Sequence, residues 1–347
     1  DFALDLPGVY QSPIEFKSVM GVLSGHWQKD ALFLEDGFFL ATAPDHDATV
    51  QFEIDIPLFK DASIERNMRL AAAVADAPIS VRDAYIPYRL PPATYQWLQR
   101  ALPAGHIEAA TFLWFGGFRP YGDASQTMQL AANLRDVTLA YQDRWPNAKQ
   151  SQIFLRLDDT DIDVWSPQAL MAGVVLDDTA VGLRLRANTS RLSIKGQSDS
   201  QVHDLKAGLA VLPPLDFVRP LLNDLTTSGA ASTEVMVGFD LRDISESLEV
   251  EVKTEFESVS VDSALLDLSA ERISGGFSFH SGRGFGSDDL RGFLLGRELK
   301  IEMGPQLAAT PDAVLAARLN FDPDISDVMT WRSVPIALPI DGVVPVE

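Results

Sequence analysis

The sequence predicts a mostly β protein: a long antiparallel sheet with three short helices. Three observations predict it. Apolar and polar residues alternate with a period of two from about Val19 to Phe321, the signature of strands with one greasy and one wet face. Helical spacing appears in only three brief stretches. Glycine, proline and acidic turn residues punctuate the chain at short intervals. A sheet with one apolar face must cover that face. Three short helices cannot do so, so strand must face strand. A sealed sandwich or barrel would satisfy this, and so would a trough. Soluble proteins tolerate only a few hundred Å² of contiguous apolar surface, so a trough would need a ligand.

The elements follow in order. Phe38 to Ala41 reads as a strand and Pro44-Asp45-His46-Asp47 as a solvated turn. Thr49–Ile56 is the clearest strand, with Val50, Phe52, Ile54 and Ile56 on one face and Thr49, Gln51, Glu53 and Asp55 on the other. Arg69–Val74 and Ile79–Ile86 continue the pattern. Pro92 to Leu102 reads as an amphipathic helix: Pro91 and Pro92 suit its start, Thr94, Trp97, Leu98, Ala101 and Leu102 form its stripe, and Pro103 and Gly105 stop it. Ile107–Phe115, Thr127–Leu134 and Asp136–Tyr141 follow as strands, with a turn at Asn133 to Asp136.

The second half repeats this grammar. Ile153, Leu155 and Leu157 alternate with polar neighbours, as do Leu183 and Leu185. Leu192 and Ile194 follow, then Leu205–Leu212. Val235, Val237 and Phe239, then Val250 and Val252, then Val259 and Val261, then Leu299 and Ile301, and then Val314–Phe321 read the same way. A second helix is expected within Asp216–Leu225, with Pro220 in its first turn. A third is expected near Ile325–Trp331. The whole chain reads as one continuous β segment, 1–347. A soft seam near 147–151 would separate a helix-bearing meander (1–146) from a second meander (151–347).

Composition excludes several function classes. The 347 residues are 46% hydrophobic, contain no cysteine and carry a formal charge of −21. Such a field repels nucleic-acid phosphates and anionic headgroups. Lipid contact would have to be through acyl chains. No disulfide or thiolate metal site is possible. No apolar run reaches the roughly 18 residues needed to span a bilayer. The chain starts at Asp1, which reads as the middle of a longer protein.

Chemistry is sparse. Five histidines, His26, His46, His106, His203 and His280, have no zinc-ligand spacing. Asp159, Asp161 and Asp163 copy the start of a calcium loop, but Val164 and Leu170 stand where its glycine and bidentate glutamate belong. Gly282, Gly284 and Gly286 read as a hairpin rather than a phosphate loop. No nucleophile elbow or defined carboxylate pair appears. The reading is no enzyme, no metal and no cofactor.

One stretch resembles a known family. It combines Tyr85-Ile86-Pro87, the helix Trp97-Leu98 to Ala101-Leu102 with Gly105, and Ala140-Tyr141 followed by Trp145-Pro146. It resembles the YhdP-type AsmA-like proteins, which are related to TamB and similar to eukaryotic bridge-like lipid-transfer proteins. The resemblance implies a periplasmic segment of a Gram-negative envelope protein, anchored upstream in the inner membrane. It also favours the trough over the sealed closure, so that the fold implied is an elongated, bent antiparallel sheet forming a hydrophobic groove (a β-taco) that carries phospholipids between the inner and outer membranes. The groove would then be lined by Val50, Phe52, Ile54, Ile56, Ile153, Leu155, Leu157, Leu183, Leu185, Val235, Val237, Phe239, Val250, Val252, Leu299 and Ile301, with phospholipid acyl chains as partners. Trp97 and Leu98 either gate its mouth or plug the sheet. The rival readings are a structural or adhesive envelope protein with a filled core, and a polysaccharide-acting β-fold enzyme.

Overall fold

The structure is a computed structural model. It describes residues 2–4, 13–59, 67–85, 99–117, 126–140, 146–186, 188–211, 219–264, 267–307 and 316–324. Strands β1 (Phe2–Leu4) and β2 (Ile14–Phe16) form a small antiparallel ladder. The remaining strands form one large antiparallel sheet in which strand order is chain order. They are β3 (Ser18–Gln28), β4 (Ala31–Thr42), β5 (Asp47–Pro57), β6 (Asn67–Pro78), β7 (Ala104–Gly117), β8 (Gln126–Leu139), β9 (Ala148–Asp158), β10 (Asp161–Met171) and β11 (Val174–Leu185). The series continues with β12 (Ser190–Gln201), β13 (Leu225–Asp240), β14 (Glu249–Ser263), β15 (Leu268–His280), β16 (Gly284–Leu294), β17 (Arg297–Met303) and β18 (Ala317–Phe321). The α-helices among the described residues are short: α1 (Arg82–Tyr85), α2 (Val202–Ala210), α3 (Arg219–Asp224) and α4 (Ile244–Ser247).

The chain divides into two compact units. One comprises residues 1–143, 147–168 and 180–188; the other comprises 144–146, 169–179 and 189–347. Each packs its own core. In the first, Ile79, Val81, Ile107, Leu134, Val137 and Ile153 are buried together, and Ile14 and Phe16 of β2 pack with Ala41, Ala43 and Ala48. In the second, Val259, Ile273, Leu290, Leu294, Leu299 and Ile301 form the core.

Most strands agree with the alternation, but three segments differ. The expected Ile79–Ile86 strand is absent over its described residues, 79–85: Ile79–Val81 is a 3-10 turn that runs into α1. Pro78 lacks the N–H that would extend the ladder, and the Arg82 guanidinium donates to the carbonyls of Ile79, Leu102 and Gln99, holding the chain curled. In place of the expected Leu205–Leu212 strand, Val202–Ala210 forms helix α2. Val202, Leu205 and Leu209 also satisfy helical spacing, and buried Gly208 lets the helix approach Val174 more closely than a Cβ would allow. The expected turn at Asn133 to Asp136 is a bulge within one strand, β8, with Asp136 at φ 53°. The expected second helix is present as α3, with Pro220 in its first turn. Of the Pro92–Leu102 helix, residues 99–101 are helical and Leu102 is not; residues 92–98, with Trp97 and Leu98, lie outside the described residues, as does the Ile325–Trp331 helix.

Bulges recur along the sheet. At three of the register shifts Asp36, Asp136 and Asp289 take left-handed φ of 49°, 53° and 47°, a conformation aspartate tolerates through local hydrogen bonding. Such bulges bend a strand and sharpen its twist. At Gly275 the demand is stricter: φ is 116°, and a Cβ would lie 2.4 Å from the Asp289 carbonyl oxygen. Gly275→Ala is expected to destabilise the second unit by about 2–3 kcal/mol through backbone strain and clash. At Gly173, φ is 85° and a Cβ would meet nothing within 4 Å, so Gly173→Ala should cost only about 1 kcal/mol. Urea denaturation of the two variants checks the contrast.

Candidate functional site

The site is built by register. In the first unit, Phe39, Val50, Ala72, Phe112, Leu130 and Leu157 pair successively across β4 to β9. Alongside run Phe52, Leu70, Trp114 and Met128, and then Leu34, Ile54 and Met68. In a fourth row, Ala48, Val74, Ala110, Ala132 and Leu155 pair in the same way. None of these residues is charged. Because pairing is antiparallel and the side-chain period is two, each row lies on one face. The opposite face carries Gln51, Glu53, Arg69, Gln129, Arg156 and Asp158.

The second unit repeats the arrangement. Ile194, Val237 and Val250 form one row, and Gly196, Val235, Val252, Phe279 and Phe285 the next. The Phe279 and Phe285 rings meet at a tilt with centroids 4.9 Å apart, and the Phe277 ring centroid lies 5.7 Å from that of Phe285.

Part of each apolar face is covered by the chain itself. In the first unit the 3-10 turn after β6 lays Ile79 and Val81 over Ala132, Leu134, Val137 and Ile153, and these residues are less than a tenth exposed. In the second, Val202 of α2 packs on the cluster around Val259 and Ile273. The rest of each face is only half covered. Of the expected lining residues, Ile153, Leu299 and Ile301 lie in these packed clusters. Val50, Phe52, Ile54, Ile56, Leu155, Leu157, Leu183, Leu185, Val235, Val237, Phe239, Val250 and Val252 are all half-buried. Phe112, Leu130, Trp114 and Phe279 are half-buried too, and alternation alone does not single them out. Cross-strand register, invisible in one strand, identifies them.

The polar chemistry lies on the other face. Asp161 is held by Arg186, and Asp163 by Arg184. These pairs occupy the carboxylates of the calcium-like pattern. Among the described residues no group of histidine and carboxylate side chains is arranged to hold a metal ion. The hydrogen bond from Arg186 holds the Asp161 carboxyl below the usual carboxylate range. A depressed pKa contributes stability above the unfolded value of about 3.9, and that contribution is lost as pH falls through the folded value. Asp161→Asn should therefore flatten the decline of stability between about pH 5 and the acid limit. Denaturant midpoints measured across that window check it.

His46 departs from the expected solvated turn. Its side chain is 5% exposed, its Nδ1 lies 2.8 Å from Asp45 Oδ1, and its Nε2 lies 2.6 Å from the Tyr85 hydroxyl. It ties the β4–β5 turn to α1. Gly282 to Gly286 are as expected: residues 281–283 turn between β15 and β16. Strand β3, at one end of the sheet order, has no charged residue and exposes Met20, Val22 and Trp27 by 74%, 67% and 72%.

A family model described as YhdP protein matches residues 1–345. No curated protein and no solved structure matches the chain. No helix among the described residues is long and apolar enough to cross a membrane.

Proposed function

The chain belongs to the YhdP family, and from that premise we propose that its half-covered apolar rows hold the acyl chains of phospholipids. The segment would act as part of a periplasmic bridge that carries lipid between the inner and outer membranes, with its parent protein anchored in the inner membrane. The role is transport, with no catalytic step. The observation that supports this reading is the unbroken, uncharged ladder Phe39–Val50–Ala72–Phe112–Leu130–Leu157, whose large side chains stay half-buried. A filled core would bring such residues below a tenth exposed, as it does at Val137 and Val259.

The physics suits a sliding cargo. Each acyl methylene taken from water contributes about 0.8 kcal/mol. Rows of similar aliphatic side chains offer neighbouring positions of nearly equal energy. A lipid can then move without breaking specific polar bonds, while the charged residues of the opposite face stay in water.

The test is native mass spectrometry of the chain purified in a non-lipid detergent and then released from it. Bound diacyl phospholipid is expected. A particle free of lipid that does not take up added phospholipid would overturn the proposal.

A further inference from the structure

The face opposite the acyl rows of the first unit also has an uncharged area. Two cross-strand rows on it carry no charge from β3 to β8. One runs Met20–Leu40–Thr49–Ala73–Thr111–Ala131, and the other Val22–Phe38–Gln51–Ala71–Leu113–Gln129. They alternate with the Phe39–Val50 row, so they lie on the other side of the sheet. Their large side chains stand in water: Phe38, Leu40 and Leu113 are 39%, 49% and 42% exposed, and Met20 and Val22 more so. Together they leave on the order of 500 Å² of apolar surface, the upper end for a monomer's largest patch, and patches of that size mark interaction sites.

Charge bounds this patch on three sides. On β5, Asp47 flanks Thr49 and Glu53 flanks Gln51. Glu53 pairs with Arg69 at 3.0 Å. On β9, Arg156 and Asp158, the cross-strand partners of Ala131 and Gln129, pair at 2.9 Å. The fourth side is β3, at the end of the sheet order. An apolar centre inside a charged rim is the anatomy of a contact between proteins. The dimensions narrow the choice. Five strand spacings of ~4.8 Å make the patch about 24 Å long, and two rows about 7 Å apart make it narrow. A helix of about 16 residues laid across the strands has that length and width.

The rim is acidic. Both of its arginines are engaged, by Glu53 and Asp158. Glu35, Asp47 and Asp55, on the same face of β4 and β5, have no lysine or arginine partner among the described residues; Glu35 lies 3.6 Å from His26. A second copy of the chain would bring the same acidic rim, and a formal charge of −21, against its like. A basic surface would be drawn to it.

We propose that this face docks a basic amphipathic helix of a partner protein. The helix lays its apolar stripe over Leu40, Phe38 and Leu113, with lysine or arginine beside Glu35, Asp47 and Asp55. The docking face is separate from the acyl rows and does not depend on the lipid reading.

The experiment is fluorescence anisotropy of the purified chain with two labelled helical peptides of about 16 residues. One has leucine on one face and lysine on the other; its counterpart has glutamate in place of lysine. The lysine peptide is expected to bind saturably, one per chain, and the glutamate peptide at least about tenfold more weakly. Leu40→Gln with Leu113→Gln changes only exposed side chains and should keep the fold, yet lower affinity for the lysine peptide at least about tenfold. Leu130→Asp, on the acyl face, should leave that affinity unchanged. The proposal is overturned if neither peptide binds saturably, if both bind equally, if the double variant binds as wild type does, or if Leu130→Asp abolishes binding, which would put the peptide in the groove. Sedimentation showing a dimer that the double variant loses would overturn it in favour of a second copy. Adsorption to phosphatidylcholine vesicles that the double variant loses would overturn it in favour of a membrane surface.

Discussion

Leu130→Asp is expected to leave the sheet folded and to lower lipid occupancy at least about tenfold. Leu130 lies mid-row between Phe112 and Leu157 and is half-buried, so a carboxylate there can remain hydrated in the empty protein. Folding then loses little. An acyl chain laid over it would have to strip that hydration, at a cost of several kcal/mol, and each ~1.4 kcal/mol is a tenfold change in affinity. The next residue provides the control. Ala131 lies on the opposite face, exposed, with Arg156 as its cross-strand partner. Ala131→Asp adds the same charge to the same strand and should leave lipid binding unchanged. Lipid extraction with mass-spectrometric quantification separates the two.

Val259→Asp is expected to have the opposite profile, with the fold lost first. Val259 is 1% exposed and is packed with Ile273, Leu290 and Leu299 under Val202 of α2. Its backbone is approached so closely that a Cβ on Gly229 would lie 2.8 Å from the Val259 Cα. No water and no basic group can follow a carboxylate into that site. An uncompensated buried charge costs about 3–5 kcal/mol, a large share of the roughly 5–15 kcal/mol that holds a domain together. The melting transition of the second unit should fall by about 10 °C or more, or lose cooperativity. The contrast between Leu130 and Val259 is the contrast between the half-covered and covered parts of the same kind of face.

That distinction is only partly legible in the sequence. Period-two alternation at Thr49–Ile56 or Val235 to Phe239 fixes which side chains share a face, because the pleat leaves no alternative. The strands, their antiparallel order and the uncharged face follow from it. What alternation does not encode is how deeply a given stretch is covered. Ile153 and Leu155 look identical in sequence, yet Ile153 lies in the buried cluster under the Ile79–Val81 turn while Leu155 stays half-buried at its edge. The turn itself is hidden by its own pattern: Ile79 and Val81 alternate like a strand, and only Pro78 and the reach of Arg82 to Leu102 and Gln99 curl them. Helix α2 satisfies both periods at once, and tertiary packing at Gly208 decides between them. Asp136 suits either a turn or a bulge, since both ask for left-handed φ.

The measurement that most directly tests whether acyl chains complete this face is site-specific photocrosslinking in cells. p-Benzoylphenylalanine would replace Leu130 or Val237 on the apolar face, and Ala131 or Met236 on the other. Lipid adducts are expected at Leu130 and Val237, with none at Ala131 and Met236. Equal labelling of both faces, or adducts to protein alone at Leu130 and Val237, would contradict it.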